Sequence, residues 1–264
     1  MIVPREHGAW GLLLVPLFTG LVAGFTPDRG AALFLFTLAT LSLFALRTPL
    51  ESLLGVGVIS ARTTEERWTA FLGSAGFALL AVIFLSVLMW RGQRSGLFVL
   101  GAASACAFLL QAVLRRLGRR TRLLSQVVGA IALTSTAPAA YYIGTGRFDE
   151  RAFALWIANW MFAWNQIEFV QLSIRAARAM GFKARLASGQ SFLLAQALSL
   201  LLLGIASAWH ILPSLSLLAF VPVVVRGASW FFQKSEPLDV RRLGWSEMKQ
   251  GVAFGLLLAF TFLF

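Results

Sequence analysis

The chain reads as an all-α integral membrane protein, one domain over residues 1–264 built from about nine transmembrane helices. Three observations predict this. It is 58% hydrophobic and 13% charged, with mean hydropathy +0.78, whereas soluble domains are about one-quarter charged and about 45–50% apolar. The apolar residues gather in runs near the roughly 20 residues that a helix needs to cross a bilayer core. The basic residues fill the gaps between runs unequally, 18 and 5 when the gaps are taken alternately. Lys and Arg accumulate in this way on the cytoplasmic side of a membrane.

Taken in order, the first run, 8–25, follows a single Arg and lacks a small-residue cleavage site, so it reads as a span rather than a signal peptide. The second, 31–59, is long and interrupted by Arg47-Thr48-Pro49. The third and fourth, 69–90 and 95–114, flank a short link holding Arg91 and Arg94. The fifth, 123–143, follows the densest basic loop, and the sixth, 151–174, carries an unusual number of polar residues. The seventh and eighth, 189–209 and 211–232, are parted by a tight turn around His210 and Pro213, and 248–264 closes the series.

An odd number of spans puts the N-terminus with Arg5, Arg47, Arg62, Arg67, the basic loop 115–122, Arg175, Arg178, Lys183, Arg185, Arg226, Lys234, Arg241, Arg242 and Lys249. That side is cytoplasmic; Arg29, Arg91, Arg94, Arg147 and Arg151 lie opposite. The net charge of +12 belongs to short loops rather than to one continuous face, which argues for anionic lipid and against nucleic acid. The single cysteine, Cys106, excludes an intramolecular disulfide. No repeat and no low-complexity stretch is visible. The cytoplasmic loops are the longer ones, so a binding apparatus is expected to open to the cytoplasm.

Carboxylates inside the apolar runs matter most, because each costs about 2.5–3.5 kcal/mol near the bilayer centre. Glu51 allows two readings. It is a metal ligand or proton carrier on a stripe with Arg47 and Arg62. Alternatively, Thr48 as N-cap, Pro49 and Glu51 form a capping box that restarts the helix. Glu168 shares a helix face with Asn165, Gln171 and Arg175, and such a polar stripe is expected to face the bundle interior or a wet cavity. Its alternative is an interhelical hydrogen-bond network without a ligand. His7 and Trp10 lie one turn apart at the entrance of the first span, where Trp10 also suits an interfacial anchor. Arg119 and Arg120 sit in the basic loop, whose guanidinium groups suit phosphate oxygens or anionic lipid equally. Gly20-xxx-Gly24 and Gly251-xxx-Gly255 permit close helix packing but carry little weight alone. No Gly-rich phosphate loop, paired-histidine zinc motif or serine elbow is present.

The opening PREHGAWGLLLVPLFTG resembles the start of the YwiC-like family of bacterial membrane proteins, as do Arg242-Leu243-Gly244-Trp245 and the polar sixth span. The layout is also similar to that of UbiA-type prenyltransferases, with nine spans and cytoplasmic loops after spans two, four and six around a central cavity. The stretch Gln111 to Gly144 resembles theirs. That likeness implies a bacterial cytoplasmic membrane and a prenyl diphosphate or quinone-like lipid, with Mg²⁺ held by acidic motifs at the ends of spans two and six. Here those regions offer Glu51, with Glu65 and Glu66 farther on, and Asn165 with Glu168. No two acids three or four apart lie within a span, so the metal motifs are degenerate.

Three functions are therefore open. A transferase would hold one Mg²⁺ with Glu51 and Glu168, count Asn165 with them as catalytic, and place Arg62, Arg119 and Arg120 on a diphosphate. A non-catalytic lipid- or quinone-binding protein would keep the cavity and use the polar sixth span to orient a headgroup. A transporter or assembly factor would use the intramembrane carboxylates for protons.

Overall fold

The structure is a computed structural model and describes residues 7–55, 61–90, 95–118, 121–176, 181–233 and 239–263. Among these residues every regular element is a helix. Six segments are long and apolar enough to cross a membrane: Pro27–Leu53, Thr64–Trp90, Gly96–Arg116, Leu123–Thr145, Phe182–Ala208 and Ser214–Phe232. This is the makeup of a multi-pass membrane protein.

The helices are α1 (His7–Ala23), α2 (Gly30–Leu53), α3 (Thr64–Trp90), α4 (Ser95–Arg116) and α5 (Arg122–Thr134). They continue with α6 (Thr136–Thr145), α7 (Glu150–Arg175), α8 (Phe182–Ala208), α9 (Val221–Phe232) and α10 (Val240–Leu263). Each predicted apolar run centres on helix. The fifth is two helices, because Pro138 has no N–H to offer the carbonyl of Thr134. Thr134, Ser135 and Thr136 turn their hydroxyls back onto the carbonyls of Ala130, Ile131, Ala132 and Leu133 at the bend. The turn between α8 and the eighth run is as tight as expected, with His210 at φ 59°.

The second run departs from expectation. α2 continues through Pro49 to Leu53, so nothing restarts at Thr48. The capping box lies instead at Thr63 and Glu66. There the Thr63 hydroxyl accepts from the Glu66 N–H at 3.2 Å, and the Glu66 carboxylate accepts from the Thr63 N–H at 3.1 Å. Both sites read Thr-x-x-Glu. A cap forms where a helix has free N–H groups, and those at Thr48 are already taken up by the preceding apolar turns.

α7 sits at the centre, against α1, α5, α6, α8 and α10. Its Met161 and Phe162 join Phe220, Val223, Phe254 and Leu258 in the principal apolar core, where the Phe162 and Phe254 rings stack at 4.0 Å. A helix so enclosed meets little lipid and can be polar. α3, by contrast, has only 11% of its apolar window buried and turns its side chains outward.

The glycine pair Gly20 and Gly24 proves structural. A Cβ on Gly20 would stand 2.3 Å from the Ala137 carbonyl oxygen, and one on Gly24 would stand 2.6 Å from the Tyr141 Cα. Opposite them, a Cβ on Gly144 would reach 1.7 Å from the Gly24 oxygen. Backbone-to-backbone contact between α1 and α6 therefore requires these hydrogens.

Candidate functional site

The polar helix α7 starts where Asp149 caps it, its carboxylate accepting from the N–H groups of Arg151 and Ala152 at 3.1 and 3.3 Å. From that origin its polar side chains run into the bundle. Asn159 ties α7 to α1 by donating to the Thr19 hydroxyl at 3.0 Å. About two turns on, Asn165, Gln166 and Glu168 are 6, 7 and 6% exposed.

Glu168, Gln171 and Arg175 lie along one edge of α7, and Gln166, two residues before Glu168, lies on another. On the first, Gln171 donates to Gln126 of α5 at 3.1 Å, and an Arg175 nitrogen lies 3.8 Å from the Glu168 carboxylate. That separation is an ion pair without a hydrogen bond, and Arg175 is half exposed. On the other edge, the Gln166 carbonyl oxygen accepts from Nη1 of Arg226 at 3.4 Å.

Arg226 was expected among the cytoplasmic loop charges. It lies within α9, inside the Ser214–Phe232 segment, and is buried there. Its guanidinium stands 3.9 Å from the centre of the Phe169 ring. Through Nη1 it also pairs with the carboxylate of Glu247 on α10, which is equally buried. Opposite charges make such burial tolerable. Sequence reasoning missed this pair, although an Arg in the middle of an apolar run was itself the signal that a partner is needed. Arg185, also counted with the loops, is buried too. It donates to the carbonyls of Trp230 and Gln233 and lies over the Trp230 ring at 5.0 Å, closing the C-terminal end of α9.

Glu51 is engaged elsewhere. One carboxylate oxygen accepts from Arg47 Nε and from Arg115 Nη1, each at 2.8 Å, which joins the end of α2 to the end of α4. Arg62 is exposed, and its N–H donates to Glu66 at 2.8 Å. Trp10 packs edge-on against Phe44 at 4.8 Å, fixing α1 to α2. His7 begins α1, its side chain lying outside the described set, and Arg119 and Arg120 lie outside the described residues. The structure thus brings together Glu168 and Arg175, separately Gln166, Arg226 and Glu247, and separately again Arg47, Glu51 and Arg115. No contact joins Glu51 to Glu168 among the described residues. Nor does any group of three or more His, Cys, Asp or Glu side chains converge there as a metal site.

A family described as YwiC-like protein matches residues 3–141. The chain is 24% identical over 234 residues to "Uncharacterized protein YwiC" of Bacillus subtilis (strain 168), covering 88% of this chain and 86% of that protein. No solved structure matches it.

Proposed function

The chain belongs to the YwiC-like family, and we propose that its helix bundle binds the headgroup of a quinone-like isoprenoid lipid without metal-dependent transfer chemistry. In this reading all nine apolar runs cross the bacterial cytoplasmic membrane as a single UbiA-like domain, with the N-terminus in the cytoplasm. The carrying observation is the enclosed polar midsection of α7, where Asn165, Gln166 and Glu168 are each less than a tenth exposed. Polar groups at such a depth need partners, and two of these have none among the described residues: the side-chain oxygen of Asn165 and the side-chain nitrogen of Gln166. A headgroup would supply them, while the apolar helix faces accommodate its chain.

A transferase would need Glu51 free to meet Mg²⁺, and its carboxylate is held by two guanidinium groups. Binding needs no such release. The test is thermal stabilisation of the purified protein by a short-chain ubiquinone analogue and by geranylgeranyl diphosphate, each with and without Mg²⁺. The quinone is expected to raise Tm with or without the metal. A shift seen only with diphosphate and Mg²⁺ would restore the transferase; no shift with either ligand would remove the lipid-binding reading.

A further inference from the structure

Arg226 uses only one corner of its guanidinium. Nη1 serves both Glu247 and Gln166, while Nε and Nη2 have no hydrogen-bond partner among the described residues, although both are buried. Those two nitrogens form the side-on fork of the guanidinium, two parallel N–H groups that normally grip a pair of oxygen lone pairs. Beside them, the second carboxylate oxygen of Glu247 and the amide nitrogen of Gln166 are likewise buried and unpaired. The Phe169 ring covers one face of the guanidinium. On the adjoining turns, Gln196 of α8 lies against Gly227, where a Cβ would stand 2.8 Å from its side-chain oxygen. Gln250 follows Glu247 by three residues along α10. Each of these glutamines also has an unpaired buried atom.

An ion pair that served only to hold α9 to α10 would do so best in bidentate form, with both carboxylate oxygens on the fork. This one is joined at a single corner. The better donor pair and the second acceptor are left turned away from each other's use, in a part of the protein where unmet polar groups are costly. We infer that the free edge of Arg226, with Glu247 and Gln166, is the headgroup site, and that it takes a neutral headgroup through a carbonyl oxygen.

Charge sets the neutrality. Arg226 and Glu247 already cancel, so an anionic ligand would leave an uncompensated buried charge. Geometry sets the carbonyl. One carbonyl oxygen has two lone pairs and can accept from Nε and Nη2 together, with Gln166 within the same cluster as a further donor. Glu247 supplies an acceptor for a hydroxyl on the same headgroup, as a reduced quinone would carry. The inference rests on the lipid-binding reading above, and it narrows the contact to the Gln166 edge of α7, which meets Arg226 of α9.

The test is titration of the purified full-length protein with a short-chain ubiquinone analogue, read by quenching of tryptophan fluorescence, in wild type, Arg226→Lys and Gln166→Met. Arg226→Lys keeps the charge and removes the fork. Gln166→Met leaves the ion pair intact and removes one donor, so it remains informative where the lysine variant fails to fold. Size-exclusion profile and ligand-free Tm show which variants are folded. Arg226→Lys is expected to raise Kd at least tenfold and Gln166→Met about threefold or more. Tight wild-type binding that neither folded variant weakens would overturn this site and leave the lipid-binding reading standing. Absence of quinone binding in wild type would overturn both. Arg226-dependent binding of geranylgeranyl diphosphate, tighter than that of quinone, would overturn the neutral headgroup.

Discussion

Replacing Glu51 with Gln tests whether this carboxylate is a clamp or a metal ligand. Arg47 and Arg115 each lie 2.8 Å from the same oxygen, so the substitution removes two charge-assisted bonds and leaves two guanidinium groups facing each other. Opposite charges about 4 Å apart attract by ~4 kcal/mol at an effective dielectric near 20. The three side chains are 16, 16 and 29% exposed, and screening with side-chain ordering reduces such pairs to about 0.5–1 kcal/mol each. Glu51→Gln should then cost about 1–2 kcal/mol, lowering Tm by roughly 2–8 °C for a chain of this size. The assay is thermal unfolding in detergent as a double-mutant cycle with Arg115→Gln. The expected coupling is about 0.5–1 kcal/mol, and it should shrink in 1 M salt. Strictly additive single variants would refute the clamp. So would Mg²⁺ that stabilises wild type and not Glu51→Gln, which would return the residue to metal binding.

Gly144→Ala should lower Tm by several degrees, since its Cβ would fall 1.7 Å from the Gly24 oxygen and overpacking of this kind costs about 1–3 kcal/mol. Gly76→Ala, with nothing within 4 Å, is the matched control and should not destabilise. Thr63→Ala should cost about 1 kcal/mol by removing the cap of α3, whereas Thr48→Ala, inside α2, should cost less; equal effects in thermal unfolding would contradict the placement of the capping box. Arg185→Leu should cost about 1–3 kcal/mol by stranding the carbonyls of Trp230 and Gln233, measured as a fall in Tm that Arg185→Lys partly restores.

The helices were legible because their determinants are local. Run length and hydropathy placed each apolar segment, and the mixed polarity of 159–171 announced that α7 would avoid lipid. Capping was legible only as a pattern. Thr48-Pro49-Leu50-Glu51 and Thr63-Thr64-Glu65-Glu66 both satisfy it, and the choice depends on whether a helix is already running when the pattern arrives. Gly20 and Gly24 carried little weight in the sequence because small residues are common in spans. They matter through Ala137, Tyr141 and Gly144, more than a hundred residues away.

The same division holds for the candidate site. Sequence alone determined that Glu168 and its neighbours must turn inward, because the cost of a polar side chain against lipid depends on that side chain and not on its partners. It also fixed the membrane class, through composition summed along the chain. Only the tertiary structure decided which charges meet. Arg226 of α9 reaches Glu247 of α10, and Glu51 of α2 draws in Arg115 of α4. Ion pairs and hydrogen bonds are made within about 3–4 Å, and a contact of that range between distant segments exists only after the helices have packed.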